Sequence, residues 1–168
     1  MAATVVISET NGASPGTVTA SVSNVNMGST DAVNLNPATY PVSPGSNTYE
    51  KWERFNVTSM GGSTAIQNLK IWRTGALGGS SVEVTNATTS SYGGAQTYTT
   101  PTSSTSTVAT LTMPTSTPGG ANVGIGGSLT GSLTAAGYSD YFVRQIQTNA
   151  SDTAGASCTW NFSYDEIA

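Results

Sequence analysis

The stretch CTWNFSYDEIA (Cys158–Ala168) decides the fold. Cys158, Trp160, Phe162 and Tyr164 fall on alternate positions, and Thr159, Asn161, Ser163 and Asp165 fill the gaps. A period of two describes a strand with one buried face. Trp160 and Phe162 are therefore expected to fill the space between two sheets. Cys158 shares that face, where a packing role is expected, because a reactive thiol needs an electropositive setting.

Similar signals recur upstream. YFVRQIQTN (141–149) is the clearest partner for the closing strand, joined to it by ASDTAGAS. YEKWERFNVTSM (49–60) and AIQNLKIWRT (65–74) flank Gly61-Gly62, which reads as the turn of a hairpin. Within the second of these, Leu69 and Ile71 face one side, while Ile66, Lys70 and Trp72 share the other. Shorter candidates are Thr4–Ser8, TVTASVSNVNM with a bulge, SVEVTNA, Gln96–Thr99, TVATLTM and SLTGSL. PTSTPGGANVGIGGS and Ser90–Ser106 read as long loops. No segment sustains a helical period. The expected class is all-β: an antiparallel β-sandwich, jelly-roll or Ig-like, with long Ser/Thr/Gly-rich loops.

Asp31–Asn47 carries Pro37, Pro41 and Pro44. Proline cannot donate to a ladder, so this tract cannot be a central strand. It still carries Val33, Leu35, Tyr40 and Val42, which must be buried somewhere. These four are the candidate interface residues. Residues 1–47 would supply N-terminal strands and a proline-bearing arm, joined to the main domain or lying on a neighbour. Residues 48–168 would form the sandwich.

Composition narrows the function. Ser and Thr make about 30 % of the 168 residues and charged residues 8 %, against a usual quarter for the latter. The surface must then be covered by hydroxyls and amides, and such a surface repels other molecules weakly. The five cations, Lys51, Arg54, Lys70, Arg73 and Arg144, do not make the basic stripe that nucleic acid requires. Those beside Trp52 and Trp72 point instead to structural salt bridges. One cysteine allows no internal disulfide. MAATVVISET lacks a secretory pattern, and no stretch has the length of a membrane helix. A cytosolic site of synthesis is expected, with no membrane partner.

The chain has no histidine, so no Ser-His-Asp or Cys-His arrangement can be built, nor a zinc site of Cys and His type. GIGGSLTG lacks the lysine of a phosphate loop. Asp31, Asn34 and Asn36 lack the glycine and glutamate of a calcium loop. Glu50 with Glu53, and Asp165 with Glu166, are carboxylate pairs of the kind a glycosidase needs. Their spacing sends the members of each pair to opposite strand faces. No catalytic, cofactor or metal residue is expected, and the protein should act by presenting a surface.

GYSDYFVRQIQTNASDTAGASCTWNFSYDEIA (137–168) resembles the closing strand pair of small virion proteins of tailed bacteriophages. NLKIWRTG (68–75) and the Ser/Thr/Pro/Gly-rich loops are similar in style. The resemblance implies a head decoration, or cement, protein made in the host cytoplasm. Such proteins sit on the outer capsid, often as homotrimers, where they bind the major capsid protein and stabilise the shell without catalysis. The rival expectation is a carbohydrate-binding or adhesive module of a phage fibre, in which Tyr40, Tyr49, Tyr92 and Tyr98 would stack on sugar rings.

Overall fold

A computed structural model describes residues 1–87, 100–106, 109–153 and 157–168. The architecture is all-β, with two antiparallel sheets packed face to face. The larger sheet contains β1 (Thr4–Asn11), β2 (Thr17–Thr19), β3 (Lys51–Ser59), β5 (Val82–Thr85), β6 (Leu111–Thr112), β8 (Gly137–Tyr138) and β9 (Phe142–Gln147). Its order is β2-β1-β3-β9-β5-β6, with β8 also on β3. The smaller sheet has the order β10-β4-β7, from β4 (Ala65–Thr74), β7 (Ser132–Leu133) and β10 (Thr159–Ile167). The expected strand at Gln96–Thr99 lies outside the described residues, as do Thr107 and Val108 of TVATLTM.

The apolar core lies where the sheets overlap. Ile7, Phe55, Val57 and Phe142 of the larger sheet meet Ile66, Leu69 and Ile71 of β4. Phe55 and Phe142 touch edge to face at 5.9 Å, which suits the ring quadrupoles. Met113, Val123 and Ile125 arrive from loops and close one end.

Three expectations fail, each for a stated reason. The strands at 142–147 and 159–167 are not hydrogen-bonded neighbours. β9 pairs with β3 and β5, and β10 pairs with β4. They face each other across the sandwich, with Trp160 stacked on Phe142 at 5.6 Å. Likewise Gly61-Gly62 makes no hairpin, because β3 and β4 belong to different sheets. Gly61 holds φ +58° and its Cα lies against the backbone of Met1 and Ala2, so a side chain there would collide. Third, Ile66 shares the inward face with Leu69 and Ile71. Between Ser163 and Asp165 of β10, β4 advances from Lys70 to Gln67, one residue more than its partner. The extra residue is a bulge, and Asn68 sits there at φ 54°. The bulge inverts the parity of the strand and turns Ile66 inward.

Phe162 also departs from expectation. Its face points inward and its ring meets Phe55 at 5.8 Å, yet the side chain is 42 % exposed. Trp160 and Tyr164 are only partly buried. Among the described residues, β10 is the outermost strand of a narrow sheet, with no strand beyond it to cover the outer side of the ring.

The other edge of β4 is closed in part by a side chain. β7 pairs with it only at Ile66 and Gln67. Further along, fully buried Asn122 accepts from Ile71 N at 2.8 Å and donates to Ile71 O at 2.8 Å and Ala87 O at 2.9 Å. With Asn122 N donating to Leu69 O at 3.0 Å and Arg73 N to Pro114 O at 2.9 Å, this carboxamide continues the edge beyond β7, as buried backbone groups require. Asn122→Ala should cost about 2–3 kcal/mol in urea unfolding, since it strands these groups without partners. Phe142→Ala should cost about 3–5 kcal/mol, and Phe162→Ala less than half of that, because its ring is already partly wet. Equal losses at the two phenylalanines would contradict the burial pattern.

Candidate interaction surface

The chemistry-bearing side chains gather on the inner face of the larger sheet, where Arg73 and Trp160 of the smaller one also reach them. Glu9 comes from β1, Lys51 and Glu53 from β3, Arg144 from β9 and Glu83 from β5. All five are almost fully buried. Direct cross-strand partners carry like charges, Glu9 opposite Glu53 and Lys51 opposite Arg144. Attraction therefore runs along the diagonals. Lys51 Nζ lies 2.5 Å from Glu9 Oε1, Arg144 Nε 2.6 Å from Glu53 Oε2, and Arg144 Nη1 2.9 Å from Glu83 Oε1. Arg73 of β4 reaches Glu83 at 3.6 Å from the facing sheet. Three acids thus meet three cations. The expected salt bridges beside Trp52 and Trp72 are present in Lys51 and Arg73.

The cover over this row is polar where it must be. Lys51 Nζ donates to Ala32 O at 2.5 Å and Arg144 Nη2 to Val25 O at 3.1 Å. The Trp160 indole lies over the Arg144 guanidinium at 4.5 Å. Burial alone would lower the pKa of Arg144, but the charges of Glu53 and Glu83 outweigh it and raise that pKa. Burial, and then the charge of Glu53, push Glu9 above the usual carboxylate range; Lys51 and Asn11 offset this only in part. The Cys158 thiol, half-buried, is pushed up by burial and then by Glu83.

The carboxylate pairs do not converge. Glu53 faces Arg144, while Glu50 accepts from Trp52 Nε1 at 3.1 Å and from Thr102 Oγ1 on the opposite side of the sheet. Asp165 accepts from Asn68 at 2.8 Å, and Glu166 from Ala3 N and Ser63 Oγ. Asp31 is occupied by Asn11 Nδ2 and Gly12 N. Asn34 accepts from Ser23 N and Asn24 N.

The four candidate interface residues divide. Leu35 is 2 % exposed and packs against Gly28, where a Cβ would strike its side chain and Tyr40 O. It anchors the proline-bearing segment on its own domain. Val33 is partly buried. Tyr40 is 43 % exposed, and Val42 lines an open cleft of about 400 Å³. Pro37, Pro41 and Pro44 form one wall of this cleft, and Leu77 and Ile146 contribute from the other side. Tyr49 is partly buried, and Tyr92 and Tyr98 lie outside the described residues.

The sequence reading did not single out Asp152, which fixes one side of the cleft. Its carboxylate accepts from Ser80 N at 2.6 Å, Ser81 Oγ at 2.6 Å and Asn149 N at 2.7 Å, tying two loops together. The Ser81 hydroxyl first, then the Asn149 and Ser80 amides, hold its pKa below the ordinary value. Gly79 stands at φ +59° with no room for a Cβ beside that carboxylate. The local cue was SDTAG, where an aspartate follows a serine in a turn.

Comparison with known proteins returned no match: no family model fits the chain, and no curated protein or solved structure is significantly similar to it.

Arg144→Met should destabilise the fold by about 3–5 kcal/mol at neutral pH, because Glu53 and Glu83 keep their burial and lose their cation. Urea unfolding of both proteins at neutral pH reads this directly; a loss below about 1 kcal/mol would count against it.

Proposed function

We propose that the chain is a non-enzymatic structural protein of a tailed-phage virion, a decoration protein that docks on the outer capsid surface. One observation carries this reading. The proline-bearing segment holds Leu35 buried, sets Val42 and three prolines around an apolar cleft, and exposes the Tyr40 ring on the surface. The cations, meanwhile, are largely engaged within the chain. Lys51, Arg73 and Arg144 sit in the buried row, and Arg54 lies between the Tyr138 and Tyr141 rings at 4.0 and 4.3 Å. Such a molecule has apolar contact and hydroxyl or amide hydrogen bonds with which to hold a partner. A stiff segment also loses little entropy on docking. The resemblance of residues 137–168 to small virion proteins supplies the partner: the major capsid protein, engaged by a homotrimer.

Co-sedimentation with purified shells tests the proposal. The protein should pellet with the shells, and binding should change little between low and moderate salt, because there is little ionic attraction to screen. The double variant Tyr40→Ala, Val42→Ser should remain folded and stay in the supernatant. Failure of the wild type to pellet, together with binding of the isolated protein to a glycan array, would replace this reading with the adhesive module, for which the exposed Tyr40 ring is the available stacking surface.

A further inference from the structure

The Lys51–Glu9 pair has a third member that an ion pair does not require. Asn11 Nδ2 donates to Glu9 Oε1 at 2.7 Å, the same oxygen that takes Lys51 Nζ at 2.5 Å. The β1–β3 register, which runs Glu9 to Glu53 and Thr10 to Trp52, brings Asn11 opposite Lys51 at its next step. Amine, carboxamide and carboxylate therefore meet at one point, with Lys51 and Glu9 shut off from solvent. We infer that Lys51 and Asn11 become joined by an internal amide cross-link, with Glu9 as the proton carrier.

The step is an acyl transfer. In water it fails because the amine is protonated and amide nitrogen is a poor leaving group. Both obstacles are met here. Lys51 Nζ can pass a proton to Glu9 along an existing hydrogen bond, leaving a neutral amine. Burial raises the pKa of Glu9 and favours its holding that proton. Nζ then forms a bond to Asn11 Cγ, and the Cγ–Nδ2 bond breaks. Glu9 delivers its proton to the departing Nδ2, so that ammonia leaves, and takes the remaining surplus proton from Nζ. Ammonium, carboxylate and carboxamide become a secondary amide, a carboxylic acid and ammonia; atoms and charge balance, and nothing is oxidised or reduced. Two further contacts hold the reactants in place: Lys51 Nζ to Ala32 O at 2.5 Å, and Asn11 Nδ2 to Asp31 Oδ1 at 2.8 Å.

The product suits its surroundings. The charges of Lys51 and Glu9 vanish together, leaving Glu53 and Glu83 against Arg144 and Arg73. The bond would link β1 to β3 and close a loop that holds the whole proline-bearing segment.

Intact mass spectrometry of the denatured full-length protein, after prolonged incubation in the folded state, tests this. The wild type should weigh about 17 Da less than its sequence, one ammonia lost. Protease mapping should find a branched peptide joining Asn11 to Lys51, with Lys51 resistant to trypsin. Lys51→Met, Asn11→Ala and Glu9→Gln should each keep the full mass of their sequence. A wild type of full mass overturns the inference, whether or not the variants fold. Loss of ammonia that survives in Lys51→Met overturns it in favour of a succinimide at Asn11-Gly12. Loss of about 18 Da, mapped to Asp31, overturns the choice of Asn11.

Discussion

Arg144 between Glu53 and Glu83 is the constraint around which the rest of the molecule is arranged. An arginine on the inner face of a central strand must bring its counter-charges with it, because an unpaired buried ion costs several kcal/mol. Here they come from the strands on either side, β3 and β5. That requirement helps fix the register of three strands at once, since a slip of one residue would send every charge to the wrong face. It also divides the sandwich. One part of the inter-sheet space is apolar and can be covered by a narrow second sheet. The other part is ionic and needs carbonyl oxygens above it, which the irregular segment through Val25 and Ala32 supplies. A seven-stranded sheet facing a three-stranded one is the geometric result.

Much of this was legible in the sequence, and the failures are informative. Alternation located β3, β4, β9 and β10, because strand period is a local property. It could not decide whether β9 and β10 lie side by side or face to face, since both arrangements bury the same residues. The bulge at Asn68 escaped because one extra residue changes parity without changing composition. Asn122 escaped because its work, completing a strand edge, depends on a distant segment arriving beside it. The charge row left a fainter trace. FVRQIQ sets an arginine amid apolar and amide residues, and KWE sets a lysine and a glutamate on either side of a tryptophan. Each asked for a buried partner without naming it.

At the candidate surface the same division holds. Proline spacing identified a segment that could not join a sheet, and Tyr40 and Val42 do lie at its surface. The sequence could not separate Leu35 from them, because an anchor and a contact residue are both apolar. Nor could it reveal that Leu77, Ile146 and Asp152, far along the chain, complete the cleft.

Asn122 has a further consequence. Among the described residues, the larger sheet ends in strands of three and two residues, which offer little to a neighbouring chain. In the smaller sheet, the Asn122 carboxamide already occupies part of the β4 edge. That leaves the outer edge of β10 as the long free one. Endless strand-by-strand growth needs two such edges on every molecule, one to receive and one to offer. Among the described residues, a chain with one long outer strand can pair once there and then offers mainly short edges, which works against fibril growth in a protein this poor in repelling charge.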